Sequence, residues 1–359
     1  MKLFRWYYGP LLVLAAWCLP IMEANSAVSV VCRAGMNTDV GSTGNVNIGS
    51  KITPVDANNA SLTVTLKYSC TNLGSDPGYV SVCLGADGGS YSPTNISPRY
   101  MSINGQDTNT RLAFTMTQNN ILWGTRNGSG SEYNSGARPI AARSTITGDT
   151  SIKFSLVSDP SNVNATPGVY TSNVNATPGV YTSNFLDTGN TTLRYEDNDL
   201  AHPTGDCTTG IQIPVRFPFT VQATVIPSCS VTSASDVNLG SHSASKKSIT
   251  GNNPSAINVT CTKGTPYTIG LMPSNKRVDG AGVMSGTGGN TDKIAYQLRS
   301  TTGIAGQIWG NTATSTTLGN GVLGKINGVN QSYPVYVTVP SADFKPDDYS
   351  DKVTIQLNY

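Results

Sequence analysis

In residues 211–226 apolar side chains recur at every second position, with mostly polar residues or proline between them. The apolar positions from 215 onward are Val215, Phe217, Phe219, Val221, Ala223 and Val225. Successive side chains of a β-strand point to opposite faces, so this period of two predicts one extended strand with a single buried face. A second such strand runs from 349 to 359, with Tyr349, Val353, Ile355, Leu357 and Tyr359 as its apolar positions. The first strand lies mid-chain and no further strand follows the second, so we expect one half to have a strand that the other lacks.

A diverged internal repeat relates the two halves. VNIGS at 46–50 recurs as VNLGS at 237–241, and each copy lies at the same distance before a cysteine, Cys70 or Cys261. LAFTMTQ at 112–118 with ILWGT at 121–125 matches IAYQLRS at 294–300 with QIWGN at 307–311, and PGVYTSNF at 178–185 parallels the strand from Tyr349. This shared order predicts a β domain that occurs twice.

Short strand-like segments recur throughout, separated by Gly, Asn, Ser and Pro, and no long segment has helical period. This pattern predicts an all-β protein built from antiparallel β-sandwiches. The 359 residues, with 37 Gly, 20 Pro and 12% charged residues, fit two such domains in an exported protein. The segments we expect to be strands include Ser61–Ser69, Tyr79–Leu84, Ser151–Val157, Ala256–Cys261, Tyr267–Leu271 and Pro334–Val339.

The first 27 residues predict a secretory signal peptide. Lys2 and Arg5 precede an apolar stretch at 11–21, and small residues follow at 24–27. The apolar stretch is shorter than the ~20 residues that span a bilayer. We therefore expect Cys18 to leave with the signal and the mature protein to be exported.

Six cysteines remain after the signal, an even number that predicts disulfides in an oxidising compartment. The repeat predicts Cys32–Cys70 and Cys229–Cys261 as equivalent pairs, which leaves Cys83 with Cys207. No CxxC spacing occurs, so zinc is not expected, and we predict no metal and no cofactor.

Composition and motifs give no indication of catalysis or nucleic-acid binding. A net charge of +2 provides no basic surface for nucleic acid. His202 and His242 lie in polar loops, apart from any nucleophile or metal motif, so we expect no enzyme. Glu196, Asp197, Asp199 and Asp206 make an acidic loop whose spacing does not fit an EF-hand.

The second half resembles the spore coat protein U domain. The residues that carry the resemblance are Cys229, VNLGS, Cys261, IAYQLRS and Trp309–Gly310. Over 28–228 the resemblance is weaker, because longer loops place the corresponding residues farther apart in the sequence. This domain is the building block of archaic (Csu-type) chaperone–usher pili, and the two-part chain is similar to their tip adhesin. The resemblance implies immunoglobulin-like sandwiches, the C-terminal one incomplete and completed by a strand from a periplasmic chaperone and then, after passage through an outer-membrane usher, from the adjacent pilin.

The strand at 211–226 has the alternating pattern of a donor strand, and its place in the chain predicts where the subunit lies in the fibre. An internal pilin needs an N-terminal donor strand, but only residues 28–31 precede Cys32 after cleavage, and the donor-like segment lies at 211–226. We expect an N-terminal adhesin domain at 28–226, a C-terminal pilin domain at 227–359 and a location at the pilus tip on the cell surface. The implied role is attachment and biofilm formation. A structural coat or shaft protein is an alternative, which the missing N-terminal donor disfavours.

The last strand of the first sandwich runs toward the linker, so the loops at the opposite pole are the expected contact surface. We assign them to 71–78, 119–150 and 186–212, and the family resemblance implies adhesion of apolar loop residues to abiotic hydrophobic surfaces. The candidates are Leu73, Ile140, Ala141, Ala142 and Leu200, although scattered surface apolar residues or loop packing would also explain them. A glycan-binding adhesin using Trp123 or Tyr133 is an alternative, but the match of Trp123 to Trp309 favours a packing role for this ring.

Residues 161–171 are repeated without change at 172–182. Because eleven is odd, one continuous strand would turn the second copy to the opposite face. We expect the second copy to form the core strand and the first to be looped out, with Val169 and Tyr170 exposed.

Overall fold

The computed structural model describes residues 28–53, 58–103, 111–125, 130–165, 168–170, 181–187, 189–203, 207 and 216–359. The predicted signal peptide lies outside these ranges. The described residues form β-strands and one short 3-10 helix at Pro160–Asn164, and the all-β prediction is confirmed. No helix in the described part of the chain is long and apolar enough to cross a membrane.

Fourteen strands form the part of the first sandwich that the structure describes. One sheet has the order β1-β3-β10-β6-β5-β12-β14-β11, with β2 on β14 and β7 on β6, and the facing sheet joins β13, β4 and β8, with β9 on β4. The strands are β1 (Val30–Met36), β2 (Gly44–Ile52), β3 (Ser61–Asn72), β4 (Gly78–Ala86), β5 (Arg99–Ile103), β6 (Arg111–Gln118), β7 (Ile121–Leu122), β8 (Tyr133–Asn134), β9 (Arg138–Ile140), β10 (Thr145–Leu156), β11 (Gly168–Tyr170), β12 (Tyr181–Phe185), β13 (Thr191–Asp199) and β14 (Phe219–Val225).

Eight strands form the second sandwich, in sheets of order β15-β16-β21-β19-β18 and β20-β17-β22. Its hydrophobic core shares no residue with that of the first sandwich. The strands are β15 (Cys229–Ala234), β16 (Lys247–Cys261), β17 (Thr268–Pro273), β18 (Ala281–Ser285), β19 (Lys293–Arg299), β20 (Val322–Leu323), β21 (Gln331–Ser341) and β22 (Val353–Asn358). Each of the six segments predicted from the sequence coincides with a strand, but β10 and β16 begin six and nine residues before the predicted segments, and Val157 and Tyr267 lie one residue outside β10 and β17.

The three predicted disulfides are present. Cys32 lies opposite Cys70 in the β1–β3 ladder, and Cys229 lies opposite Cys261 in the β15–β16 ladder, so both bonds join paired positions of neighbouring strands. Cys83 of β4 bonds to Cys207. The repeat therefore predicted two of the pairs correctly, because β1 pairs with β3 in the first sandwich as β15 pairs with β16 in the second.

The predicted loop at 186–212 contains a strand that the sequence did not indicate. Residues 191–199 form β13, which pairs along its whole length with β4, from Thr191 opposite Ala86 to Asp199 opposite Gly78. Glu196, Asp197 and Asp199 therefore belong to a strand and not to an acidic loop, while Asp206 lies outside the described residues. The predicted loop at 119–150 likewise contains β7, β8, β9 and the start of β10.

The duplicated segment is divided between two strands of one ladder. Gly168–Tyr170 of the first copy pairs with Val225–Ala223, and Tyr181–Phe185 continues the same antiparallel ladder from Ala223 to Phe219. The expectation that the first copy is looped out is therefore wrong for residues 168–170. Residues 171–180 lie outside the described residues.

Candidate functional site: an open groove and an apolar end

Strand β14 completes the first sandwich. It pairs antiparallel with β12 and parallel with β2, where Val221 lies opposite Val46. The apolar positions from Phe217 to Val225 are at most 3% exposed, and the Phe219 ring stacks on Phe185 with centroids 4.5 Å apart. The predicted buried face is confirmed at Phe217, Phe219, Val221, Ala223 and Val225, and Val215 lies outside the described residues.

The equivalent of β2 in the second sandwich has no strand partner. Residues 235–243, all of them described and including VNLGS, form no strand, although VNIGS of the first sandwich lies in β2. Val46 and Ile48 are 0% and 6% exposed, whereas Val237 and Leu239 at the matching positions are only partly buried. The same sequence motif is therefore a buried strand where β14 accompanies it and an irregular, half-exposed segment where no such strand is present.

The opposite wall of this place is the segment before β22, where Ser350 bridges to Ser285 of β18 as β12 pairs with β5 beside β14, together with β22, which follows it. Among the described residues, β22 pairs with β17 and with no other strand. Val353, Ile355 and Leu357 pack against the core but stay half-exposed. We call the region between these walls the open groove, and its partly buried apolar residues are Val237, Leu239, Met284, Phe344, Tyr349, Val353, Ile355 and Leu357.

Hydrogen bonds fix one end of the open groove. The Asp347 carboxylate accepts bonds from the Thr287 amide and from the Asn290 side-chain amide, at 2.8 and 2.7 Å. A hydrogen bond from the Thr287 hydroxyl, followed by that from the Asn290 side chain, lowers the pKa of Asp347 to about 2. Asn290 also donates to the Tyr349 hydroxyl at 2.9 Å. The aromatic residue at the start of the second wall is thus held in place without a donor strand.

Three loops of the first sandwich meet at one end. The Asn72 side-chain amide donates to the Ala141 carbonyl at 3.2 Å, and the Arg143 amide donates to the Gly74 carbonyl at 3.2 Å. Gly78 pairs with Asp199 on one side and with Ile140 on the other. The loops 73–77, 141–144 and 200–203 therefore lie together, and we call this region the apolar end.

The apolar end lies opposite the point where the chain leaves the first sandwich. Strand β3 runs from Ser61 to Asn72 at the apolar end, whereas β14 finishes at Val225 beside Ile52, near the start of β3. Leu73 and Leu200 are 63% and 57% exposed. Ala141 is exposed and Ala142 is half-buried. The structure thus brings four of the five candidate contact residues to one surface.

Ile140 is the exception, and its assignment as a surface contact is wrong. It ends β9, pairs with Gly78 of β4 and is 2% exposed. The side chain belongs to the hydrophobic core of the first sandwich. Its neighbours Ala141 and Ala142 follow the strand, which explains why burial changes so sharply within this short run.

Both repeat-related tryptophans are core residues. Trp123 is 0% exposed and its indole nitrogen donates to the Leu84 carbonyl, while Trp309 is 1% exposed and donates to the Ile269 carbonyl. The packing interpretation of Trp123 is therefore confirmed, and its ring offers no face to a glycan. Tyr133 is half-buried, with its ring centroid 6.1 Å from that of Tyr68.

Charged groups near the apolar end form a small local arrangement. The exposed His202 Nδ1 lies 2.9 Å from an Asp199 oxygen, and this hydrogen bond lowers the pKa of Asp199. Across the part of the chain that the structure describes, no group of three or more His, Cys, Asp or Glu side chains has the geometry of a metal site.

The sequence predicted that the C-terminal sandwich lacks a strand beside the one from Tyr349, but it did not identify VNLGS as the other wall of the open groove. The repeat itself contained the sequence signal for this wall. VNLGS matches VNIGS, which alternates like a strand, but the second half contains no segment that corresponds to β14. Only the pairing of VNIGS with β14 reveals what is missing.

Comparisons with known proteins agree with the resemblance. Residues 215–356 match the family model described as the Spore Coat Protein U domain, which confirms the resemblance of the second half to this family. The matched range begins before β14 and therefore includes it. No curated protein matches the chain.

Two of the solved structures that match the chain are chaperone–usher or fimbrial subunits. One is the CsuC–CsuE chaperone–tip adhesion subunit pre-assembly complex from archaic chaperone–usher Csu pili of Acinetobacter baumannii, at 15% identity and a TM-score of 0.45, covering 92% of this chain and 100% of that chain. The other is CfaE, the adhesive subunit of CFA/I fimbria of enterotoxigenic Escherichia coli, at 12% identity and a TM-score of 0.28, covering 88% of this chain and 92% of that chain.

Proposed function

We propose that this chain is the tip adhesin of a chaperone–usher pilus, with residues 28–226 as the adhesive domain and 227–359 as the pilin domain. The observation that carries the proposal is the contrast between the two copies of the VN(I/L)GS motif. One copy is buried beside β14, and the other forms a wall of the open groove. Non-enzymatic attachment is the role that this architecture fits best.

The open groove has the properties of an acceptor for an extended segment. Its walls present backbone without ladder partners and a row of half-exposed apolar side chains, the requirements for strand addition. An inserted strand with about five apolar residues contributes ~1.5–3 kcal/mol for each one buried, on the order of ten kcal/mol in all. Since whole domains are stable by only ~5–15 kcal/mol, the second sandwich depends on such a strand.

The sequence of partners follows from this dependence. A periplasmic chaperone supplies the strand during export, an outer-membrane usher exchanges it, and the adjacent pilin supplies the permanent strand. The family match supports an equivalent inserted strand, because the matched range includes β14, which fills this place in the first sandwich. The chain thus carries in its centre an internal copy of the strand that its second sandwich lacks.

The apolar end is the proposed contact with surfaces. Leu73, Ala141, Ala142 and Leu200 lie on loops that hydrogen bonds and strand pairing hold together. Exposed apolar side chains gathered on one end favour abiotic hydrophobic surfaces, and thereby biofilm formation, over charged ligands. The burial of Trp123 favours this contact over a glycan-binding site.

A peptide experiment tests the open groove. Residues 216–226, RFPFTVQATVI, serve as the probe strand, added to the purified full chain. We expect two unfolding transitions, of which only the lower one rises in temperature with peptide concentration, because binding to the folded state stabilises it. A control peptide with aspartate at the Val221 and Ala223 positions should have no effect. A second sandwich that melts cooperatively at high temperature without any peptide would contradict the proposal.

A further inference from the structure

The Cys83–Cys207 disulfide has no counterpart in the second sandwich. It joins the middle of β4 to a residue that lies between β13 and β14, 124 positions later in sequence. Cys83 is 6% exposed and Cys207 is 1% exposed, so both sulfur atoms are shielded from reductants in solution. A disulfide that is shielded from reductants at this place contributes most to a protein that works under mechanical tension.

Tension reaches the first sandwich through β14. The Ile226 amide donates to the Ile52 carbonyl at 3.0 Å, and the Thr262 hydroxyl of the second sandwich donates to the Ile226 carbonyl at 3.0 Å. Only Pro227 separates Ile226 from Ser228, whose carbonyl accepts from the Thr262 amide at 2.8 Å. A pull on the second sandwich therefore acts directly on Ile226, the residue that follows β14, and the non-covalent ladders of β14 to β2 and β12 resist it.

The disulfide gives the same pull a covalent route to the apolar end. Strand β4 begins at Gly78, immediately after the loop 73–77, and reaches Cys83 five residues later. From Cys207 to Ile226 the chain has 19 further residues, which span at most ~65 Å when fully extended. Once β14 has been extracted, this covalent route carries the force without the ladders of β14 to β2 and β12.

The strand at the end of this route also organises the apolar end. Gly78 of β4 pairs with Asp199 of β13 and with Ile140 of β9, the residues that precede the other two loops. Force delivered to Cys83 is thus applied to the sheet that holds all three loops together. Loss of β14 leaves the ladders of β4 with β13, β8 and β9 intact.

We propose that Cys83–Cys207 is a mechanical safety catch: when tension extracts β14, the disulfide stops the extension and carries the load to the apolar end while its loops stay assembled. The catch rests on the proposed function, because an adhesin at the end of a fibre carries the tension between the surface and the cell. It also explains why this bond occurs solely in the sandwich that has an internal β14.

Single-molecule force spectroscopy on the full chain tests the catch. Azide-bearing amino acids at Ser75 and Ser230 provide handles at the apolar end and beyond the linker. We expect the wild type to show one step of at most ~70 Å and no further extension up to bond rupture, because 8 residues before Cys83 and 23 after Cys207 limit the total to ~110 Å. The C83S/C207S variant should extend roughly fivefold further, over the 155 residues between the handles.

Two further variants make the test specific. C32S/C70S lacks the disulfide between β1 and β3, which lies off this route, and should keep the wild-type limit. Insertion of ten Gly/Ser residues after Gly210 keeps the catch and the fold and should lengthen the step by ~35 Å. A wild-type chain that reaches rupture without a step, or an inserted chain with an unchanged step, would overturn the proposal.

Attachment under flow links the catch to adhesion. Cells carrying C83S/C207S pili should attach to hydrophobic plastic as well as wild-type cells without flow, and detach at several-fold lower shear. Equal retention under flow, at equal pilus number, would show that the disulfide carries no load. If wild-type pili fail to attach even without flow, the proposed function fails while the force measurement still decides on the catch.

Discussion

At the scale of single residues, burial separates side chains that the sequence places in one class. Leu73 and Leu200 expose more than half of their surface, whereas Ile140 is 2% exposed although it lies in the same group of loops. The sequence IAA gives no periodic signal, because β9 is only three residues long. The role of Trp123 was predictable since its partner in the repeat, Trp309, offered an internal comparison.

The first prediction concerns the exposed leucines. The L73S/L200S variant should attach less to hydrophobic plastic, because each lost apolar contact contributes ~1–2 kcal/mol and many pili act together. Its melting temperature and pilus number should not change, and the remaining attachment should resist high salt, since apolar contacts are not screened.

I140S is the matched control for this prediction. Replacing a core isoleucine by a small polar residue costs about 2–5 kcal/mol, so this variant should lose pili together with attachment. Attachment assays paired with counts of pili by electron microscopy separate the two effects. Full attachment by L73S/L200S at normal pilus number would exclude both leucines from the contact.

At the scale of elements, strands with alternating apolar residues were predictable from the sequence. Strands whose sequence does not alternate, and which form because a neighbouring strand pairs with them, were not. The strict period of two in β14 and the landmarks of the repeat predicted its burial and two disulfides. Strand β13 was not predicted, because its sequence TTLRYEDND ends in three acidic residues and an asparagine, a composition typical of loops. Its pairing with β4 overrides that local preference, since a sheet neighbour decides strand formation more than propensity does.

The second prediction uses the divided duplication. Removing residues 171–181 joins Tyr170 to Thr182, and the ladder then continues from Ala223 to Gln222 without a change of register. We expect the melting temperature of the first sandwich to stay within a few degrees of the wild type, because no described ladder position is lost except Tyr181, which Tyr170 replaces opposite Ala223.

A deletion of equal length serves as the control. Removal of residues 175–185 takes away β12, including Phe185, which is fully buried and stacks on Phe219. The first sandwich should then fail to fold or melt far lower. If both deletions destabilise the protein equally, the duplication contributes structure that the ladder does not explain.

At the scale of the whole molecule, the two sandwiches differ in what they offer to a neighbour. The first is closed by β14, which is its own and is buried. The second has the open groove. A subunit within a fibre must both accept a strand and donate one, but here the donor-like strand is already committed to its own sandwich. One open groove and a donor-like strand already in use fit a subunit that ends the fibre.

Antibody labelling tests this position. An antibody raised against residues 28–226 should bind intact pili at one end only, whereas an antibody against the main pilin should label their whole length. The V221D variant places a charge on the buried face of β14, which costs several kcal/mol, and should abolish the end label by preventing the first sandwich from closing. Label distributed along the shaft would mean that the chain repeats within the fibre, and β14 would then have to leave the first sandwich to serve a neighbour.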